Sequence, residues 1–97
     1  MDPERIMTLH PEGKEGVRIE RPKYVEMRQA LLAVTAVSGE GTLFKDLPHL
    51  VAPRLDRAVF PKEASVKWYV TTVKLDLEAR GELVRVKGAT PQRLLRG

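Results

Sequence analysis

The sequence contains no cysteine and no asparagine, and glutamine occurs only at Gln29 and Gln92. The absence of cysteine excludes disulfides and thiolate metal sites. The shortage of thermolabile side chains is typical of proteins from thermophiles. No apolar run approaches the roughly 18 residues that a membrane-spanning helix needs, so we expect no membrane contact. The first residues, Met1 to Arg5, lack the apolar core of a signal peptide, which predicts a cytoplasmic protein.

Histidine is scarce as well, and this argues against a metal site. The two histidines, His10 and His49, lie far apart in the chain, and a transition metal needs more ligands than they offer. Neither Ser38 nor Ser65 has a neighbouring base in a recognisable arrangement for nucleophilic catalysis. We therefore expect no enzyme, no metal and no cofactor, and no small-molecule substrate is evident.

Chain length and net charge limit the remaining classes of fold and function. A chain of 97 residues forms one domain, and 42% hydrophobic with 31% charged residues predicts a folded protein. The net charge is +4, and residues 64–97 hold seven cations against three anions, so the whole excess lies in the last third. Clustered positive charge favours a polyanionic partner, although a solvated surface with a skewed count explains the same numbers.

The most informative stretch runs from Ser65 to Gly81 and predicts one amphipathic helix. Gly81 stands where a left-handed C-terminal cap is needed, and Arg80 suits the negative end of the helix dipole. The core stripe recurs at steps of four, three and four residues, which is helical spacing. Its members are Val66, Val70, Val73 and Leu77.

Shorter signals place the other elements. A first helix is predicted from about Pro22 to Ser38, and a short strand at residues 42–44. A second helix begins near Lys45 and is broken by Pro53. A strand at residues 83–87, a turn at 88–91 and a returning strand at 92–96 form a basic two-stranded hairpin. The inner stripe of the first helix comprises Tyr24, Met27, Leu31 and Val34, with Ala30 and Val37 alongside.

Residues 1–21 form a separate segment in front of the domain at residues 22–97. The run Ile6 to Leu9 is apolar, residues 10–16 are rich in turn formers, and Val17 to Glu20 alternates apolar and charged side chains. Two predictions fit this pattern: a short hairpin, or an extended arm that lies on the domain.

The sequence from Leu77 to Val86 resembles the helix-to-wing junction of winged helix-turn-helix proteins. The phrase Glu-Ala-Arg-Gly at residues 78–81, followed by an apolar strand, carries the resemblance. Residues 7–11, 68–69 and 73–81 also resemble a small bacterial family of uncharacterised winged-helix proteins. The resemblance implies an α+β winged helix-turn-helix fold, with three helices, a C-terminal two-stranded β-wing and an N-terminal arm or short hairpin.

The same resemblance implies double-stranded DNA as the partner and transcription regulation as the role. Phosphate contacts would come from the wing and from the flank of the third helix. The candidate residues are Lys67, Thr71, Lys74, Arg85, Lys87, Arg93 and Arg96.

The outer face of the third helix favours a different class of function. Opposite the core stripe it presents Trp68, Thr72 and Leu75, whereas base readout needs polar or basic side chains. An apolar stripe on an outer face usually indicates a covered surface. The cover is the N-terminal segment, a second subunit or another protein. The alternative function is therefore a protein-interaction or homodimerisation module that uses these three residues.

Overall fold

The computed structural model describes residues 4–97, with the side chain of Ala64 left aside. This part of the chain has an α+β fold with three helices and two small antiparallel sheets. The strands are β1 (Arg5–Met7), β2 (Arg18–Glu20), β3 (Thr42–Leu43), β4 (Leu83–Arg85) and β5 (Arg93–Arg96), and the helices are α1 (Arg21–Val34), α2 (Leu47–Val51) and α3 (Glu63–Ala79). Among the described residues, no helix is both long and apolar enough to cross a lipid bilayer.

The N-terminal segment is a hairpin and not an extended arm, although its residues 1–3 lie outside the described part of the chain. Strands β1 and β2 pair antiparallel, with Ile6 opposite Ile19. Thr8 extends the pairing, because its amide donates to the Val17 carbonyl at 2.9 Å and its hydroxyl accepts from the Val17 amide at 2.9 Å. Gly16 is required beside it, since a Cβ there would lie 1.8 Å from the Thr8 carbonyl oxygen.

Helix α1 begins at Arg21 and ends four residues before the predicted end at Ser38. Thr35 leaves the helical conformation, with ψ of 133°, because the next backbone groups are bonded elsewhere. The Ala36 amide donates to the Thr42 hydroxyl, and the Ala36 carbonyl accepts from the Arg96 amide. Val37 is consequently 72% exposed and does not belong to the inner stripe.

The second helical segment is short and irregular, as its two prolines predict. Helix α2 covers only residues 47–51, with Pro48 in its first turn, and single 3₁₀ turns precede and follow it. The helix gives way at Ala52, directly before Pro53, whose missing N–H cannot continue the ladder.

Helix α3 follows the predicted phase, and all four residues of its core stripe are buried. Its end is a Schellman motif: the Glu82 amide donates to the Leu77 carbonyl at 2.9 Å, and the Gly81 amide donates to the Glu78 carbonyl at 3.1 Å. Gly81 has φ of +78°, the left-handed conformation that the sequence predicts for this position. This turn directs the chain straight into β4.

Strands β4 and β5 form the predicted basic hairpin, and we call residues 83–96 the wing. The short strand β3 adds to it, giving a three-stranded sheet in the order β3-β5-β4. Leu83 and Leu94 are buried in the common core, whereas Val84 is 49% exposed. Val84 lies on the opposite side of the strand from Leu83, because consecutive residues of a strand face opposite sides.

Candidate functional site

The outer face of helix α3 lies between two flanking elements, the N-terminal hairpin and the wing. Each element is attached to α3 through one acidic residue near the C-terminal end of the helix. Asp76 binds the hairpin side, and Glu78 binds the wing side. Because these two carboxylates hold the hairpin and the wing against α3, they determine which parts of the α3 surface are covered.

Asp76 is fully buried, at 0% exposure, and accepts three hydrogen bonds. The Leu9 amide donates at 2.8 Å, the Tyr24 hydroxyl at 2.5 Å and the Arg80 Nε at 2.9 Å. A buried carboxylate is stable only when it is paired and hydrogen-bonded, and these donors meet that requirement. The bonds connect the hairpin, α1 and the end of α3 at a single point.

The buried environment around Asp76 shifts the pKa of the Tyr24 phenol strongly. Burial, and after it the hydrogen bond to the Asp76 carboxylate, together raise the pKa of the Tyr24 phenol to about 12. The pKa of Arg80 is also raised, chiefly because its guanidinium donates to Asp76. Tyr24 is a neutral hydrogen-bond donor to Asp76 at neutral pH.

Glu78 connects α3 to the wing through Lys74 and Arg85. The Lys74 Nζ lies 3.0 Å from Glu78 Oε2, and the Arg85 Nε donates to Glu78 Oε1. Lys74 also donates to the Gln92 side-chain oxygen at 2.9 Å and lies over the Phe44 ring, 4.5 Å from its centroid. One helical flank is therefore fixed to β4, to the residue before β5 and to the turn after β3.

The expectation that Lys74 offers its charge to phosphates on an open helix flank does not agree with its placement. Lys74 is only 2% exposed, because the wing packs over it. Burial lowers the pKa of the Lys74 ammonium, and the hydrogen bond to Glu78 opposes that shift. Lys74 acts as an internal cation that binds Glu78, so it is left out of the candidate interface.

The remaining candidate cations differ in availability. Lys67, Lys87 and Arg96 are exposed, and none of them forms an ion pair within residues 4–97. Arg85 is exposed but paired with Glu78. Arg93 is half-buried and donates to the Gly41 carbonyl at 3.3 Å. The Thr71 hydroxyl donates to the Lys67 carbonyl of its own helix.

The apolar stripe on α3 is covered over part of its length. Thr72 and Leu75 are half-buried and line a crevice with Thr8, Leu9 and Val17 of the hairpin. Trp68, one turn earlier, is 50% exposed and packs edge-on against the Tyr69 ring at 4.9 Å. The hairpin therefore shields the second half of the outer face and leaves the first half open.

The sequence reasoning missed His49, which lies beside Lys67, and the exposed Lys45. His49, from α2, lines a shallow cavity together with Lys67 and Glu63. Lys45, in the 3₁₀ turn before α2, is exposed. A count of charge along the chain could not find them, because both residues are remote from the basic last third, and His49 meets α3 only through the fold.

A cleft of about 560 Å³ lies between the hairpin turn, α3 and β4. Its lining residues are His10, Pro11, Glu12, Leu75, Glu78, Gly81, Leu83, Val84 and Arg85. Nothing in the sequence pattern indicates this cleft, since its walls come from three separate segments. Within the described residues, no three histidine or acidic side chains come together as a metal-binding group.

These features define a small α+β domain whose long helix α3 is flanked by a hairpin and a basic wing. The chain belongs to a family of unknown function (DUF6958), whose model matches residues 5–94. No curated protein matches the chain. No solved structure matches it either.

Proposed function

We propose that this protein is a winged helix-turn-helix domain that binds double-stranded DNA, chiefly through phosphate contacts. The observation that carries the proposal is the order of elements from α1 onward: helix, short strand, helix, helix, and two strands of a basic wing. The strand order β3-β5-β4 supports it. One departure is the connection between α2 and α3, residues 52–62, which is longer than the roughly three- or four-residue turn of helix-turn-helix motifs.

The proposed contact surface joins the wing to the first half of α3. Lys87 and Arg96 supply exposed cations on the wing, and Lys67 supplies one on the helix, with His49 beside it. Arg85 and Arg93 are secondary, because each already has a partner in the fold. Phosphate contacts of this kind fix a protein on the duplex without reading its sequence.

We do not expect the whole outer face of α3 to read bases in the major groove. The hairpin covers Thr72 and Leu75, so only the first turns of the helix are open to a groove. The open part presents Trp68 and Thr71, which lack the bidentate donors that distinguish bases. Binding that depends little on sequence follows from this arrangement.

The test is a titration of labelled random-sequence duplex DNA, read by fluorescence anisotropy at low and moderate salt. We expect dissociation constants of about micromolar at low salt, with steep weakening as salt rises. The variant Lys87→Ala/Arg96→Ala removes two proposed contacts and should weaken binding by about tenfold or more. Arg5→Ala/Arg21→Ala is the matched control, since it removes the same charge from the hairpin side. Equal weakening by both variants, or no binding at low salt, would refute the proposal.

A second candidate function, homodimerisation or protein interaction, is favoured by the half-exposed side chain of Trp68. A tryptophan in that state is a frequent anchor of protein interfaces. Sedimentation equilibrium would show a dimer for the native chain and a monomer for Trp68→Glu, because burying the new charge costs several kcal/mol. Val37→Glu, at another exposed apolar position, is the control that should leave the assembly unchanged. A native chain that is monomeric at high concentration removes this candidate.

Both candidates are binding functions, and we propose no catalytic role. His10 lies in the hairpin turn and His49 in α2, so the two do not share a site. His10 uses its Nδ1 to accept a hydrogen bond from the Glu12 amide of the same turn. This is ordinary turn chemistry, and it does not activate a nucleophile.

A further inference from the structure

The half-exposed tryptophan Trp68 lies in the open half of α3, within the surface that we propose to contact DNA. Its side chain is 50% exposed, and Tyr69 packs against it with ring centroids 4.9 Å apart and ring planes at 83°. In an edge-on pair of this kind, at least one face of the indole is not covered by the other ring. A large part of the flat indole surface is therefore open to a ligand.

The orientation of this ring is fixed by a row of aromatic side chains that reaches into the core. Phe60 is 5% exposed, and its ring meets the Tyr69 ring edge-on, with the centroids 5.2 Å apart. Tyr69 is half-buried and contacts both Phe60 and Trp68. Because core packing holds the inner ring, the outer ring is positioned before any ligand arrives, and less side-chain entropy is lost on binding.

The neighbours of Trp68 on the helix surface are small side chains. Positions three and four residues away share its face, since an α-helix advances about 100° per residue. Ser65 and Thr71 occupy two of these positions, and Thr72, half-buried beside the hairpin, occupies a third. None of these three side chains is long enough to lie across the indole, so the ring projects beyond them.

Two ammonium groups lie beside the aromatic row. The Lys23 Nζ, from α1, lies over the Tyr69 ring, 5.3 Å from its centroid, and Lys67 directly precedes Trp68 in α3. Neither lysine forms an ion pair within the described part of the chain. Glu63 shares the shallow cavity with Lys67, but it lies about 140° around the helix from Trp68. The charge beside the ring favours a ligand that is both aromatic and anionic, and it disfavours an organic cation.

The pairing state of DNA decides whether a base can use this aromatic surface. In an intact duplex the flat faces of the bases are stacked on one another, and proteins reach base edges and phosphates from the grooves. Trp68 offers a single donor, its indole N–H, and is therefore poorly suited to reading base edges. An unpaired base has a free face, and stacking on an aromatic side chain is a common way in which proteins hold such bases.

We propose that Trp68 is a stacking platform for an unpaired base, so that the protein prefers DNA with an unpaired base to a fully paired duplex. Lys67 contacts the phosphates next to the stacked base. The inference rests on the proposed DNA-binding function and names the kind of DNA that this surface selects. A two-fold interface centred on Trp68 fits less well, since it would bring the Lys67 side chains of both copies into one interface.

Three labelled duplexes test the preference by fluorescence anisotropy at low salt. One is fully paired, one has an extra unpaired adenine at its centre, and one has an abasic nucleotide in place of that adenine. The abasic duplex keeps the flexible backbone and the charge of the adenine duplex but has no base to stack. We expect the adenine duplex to bind about fivefold to a hundredfold more tightly than the other two, as one aromatic stacking contact provides.

The outcomes of this titration separate the inference from the function on which it rests. Equal affinity for the adenine and abasic duplexes would overturn the stacking role, while binding of the fully paired duplex would keep the proposed phosphate contacts. Absence of binding to all three duplexes would refute both proposals. Tight binding of the adenine duplex alone would support the stacking role and contradict the proposed binding of paired DNA.

The intrinsic fluorescence of Trp68 provides a second readout on the native chain. Trp68 is the only tryptophan in the sequence, so the signal reports on this position alone. We expect the adenine duplex to quench the fluorescence more strongly than the abasic duplex at equal saturation, because only a stacked base contacts the indole face. Equal quenching by the two duplexes, or unchanged fluorescence at saturation, would overturn the inference.

Variants at two neighbouring positions separate stacking from charge. Trp68→Ala should bind the adenine duplex no more tightly than the paired duplex, and Trp68→Phe, which keeps an aromatic face, should retain part of the preference. Lys67→Ala should weaken binding of all three duplexes by the same factor, because it removes a phosphate contact. Circular dichroism checks that the variants are folded. A preference for the adenine duplex that survives in Trp68→Ala would contradict the stacking role.

Discussion

At the residue scale, the buried phenol of Tyr24 is the clearest source of pH dependence. Its pKa is raised from 10.0 to about 12 in the folded chain, chiefly by burial and then by the hydrogen bond to Asp76. The folded chain therefore holds the phenol proton more tightly than the unfolded chain does. The resulting stabilisation is complete below pH 10 and is lost as the pH rises from about 10 to about 12.

The first prediction compares the native chain with Tyr24→Phe across this range. Two pKa units correspond to at most about 2 to 3 kcal/mol of unfolding free energy. At pH 8, Tyr24→Phe should be less stable than the native chain, because Asp76 loses one of its three donors. The difference should shrink toward pH 12, as measured by urea unfolding at each pH. A difference that stays constant from pH 8 to 12 would contradict the raised pKa.

The second prediction concerns the buried pair of Lys74 and Glu78. In Glu78→Gln the Lys74 ammonium stays buried without a carboxylate, which should lower the unfolding free energy by about 3 kcal/mol or more. In Lys74→Met the carboxylate keeps the exposed guanidinium of Arg85, so the loss should be less than half as large. Urea unfolding of both variants at pH 7 measures the two losses.

The pH dependence of the stability loss in Glu78→Gln is the control for this prediction. Because burial lowers the pKa of Lys74, its ammonium loses its proton more easily in the folded chain. The penalty in Glu78→Gln should therefore decrease as the pH rises toward 10, where a neutral Lys74 no longer needs a carboxylate. Equal losses in the two variants at pH 7 would show that Glu78 is not the principal partner of Lys74.

At the scale of elements, the N-terminal hairpin depends on the close approach of two backbones. An alanine Cβ at Gly16 would lie 1.8 Å from the Thr8 carbonyl oxygen, so Gly16→Ala must separate the two strands. Gly81 differs, because a Cβ there meets nothing within 4 Å and only its φ of +78° opposes a side chain. The two glycines are thus needed for different reasons.

The third prediction follows from that contrast. Gly16→Ala should lower the unfolding free energy by about 2 to 3 kcal/mol, since the clash is with backbone and cannot be relieved by a rotamer change. Gly81→Ala should cost only about 1 kcal/mol of left-handed strain. Thermal unfolding measures both values. In Gly16→Ala the Thr8 and Leu9 amides should also exchange faster, and unchanged exchange there would mean that the hairpin is not held by this contact.

At the scale of the whole molecule, the positions of the hairpin and the wing determine which part of the surface DNA would contact. The hairpin closes the second half of the outer face of α3, and the wing buries Lys74 on the adjoining flank. Within residues 4–97, three exposed cations of the proposed surface form no ion pair: Lys67, Lys87 and Arg96. They suit contact with the sugar-phosphate backbone and not the reading of bases.

The fourth prediction is a steep salt dependence with little sequence preference. Each phosphate contact contributes about −0.9 to the slope of log binding constant against log salt, so three to five contacts give a slope of roughly −3 to −5. Unrelated duplexes of equal length should bind with dissociation constants within about threefold of one another. Fluorescence anisotropy at several salt concentrations measures the slope, and a preference of a hundredfold for one duplex would contradict phosphate-dominated binding.

The limits of prediction from the sequence are clearest at α3. The core stripe of Val66 to Leu77 and the cap at Gly81 were predictable, because helical periodicity and a left-handed turn are local properties. Lys74 and Asp76 lie beside that stripe, and local periodicity cannot tell a solvated flank from a covered one. The wing covers one flank and the hairpin covers the other, so both charged residues are buried. For the same reason the cleft beside β4 could not be foreseen.

The sequence by itself determined the periodic and local features: three helices, the two prolines that shorten α2, the glycine stop and the basic wing. Each follows from side-chain spacing or from the conformational limits of glycine and proline. Only the tertiary structure decided that residues 5–20 fold into a hairpin on α3, that Lys74 serves Glu78, and that the β4 edge faces a cleft. These features depend on contacts between residues far apart in the chain, whose outcome is set by packing and desolvation and not by local preference.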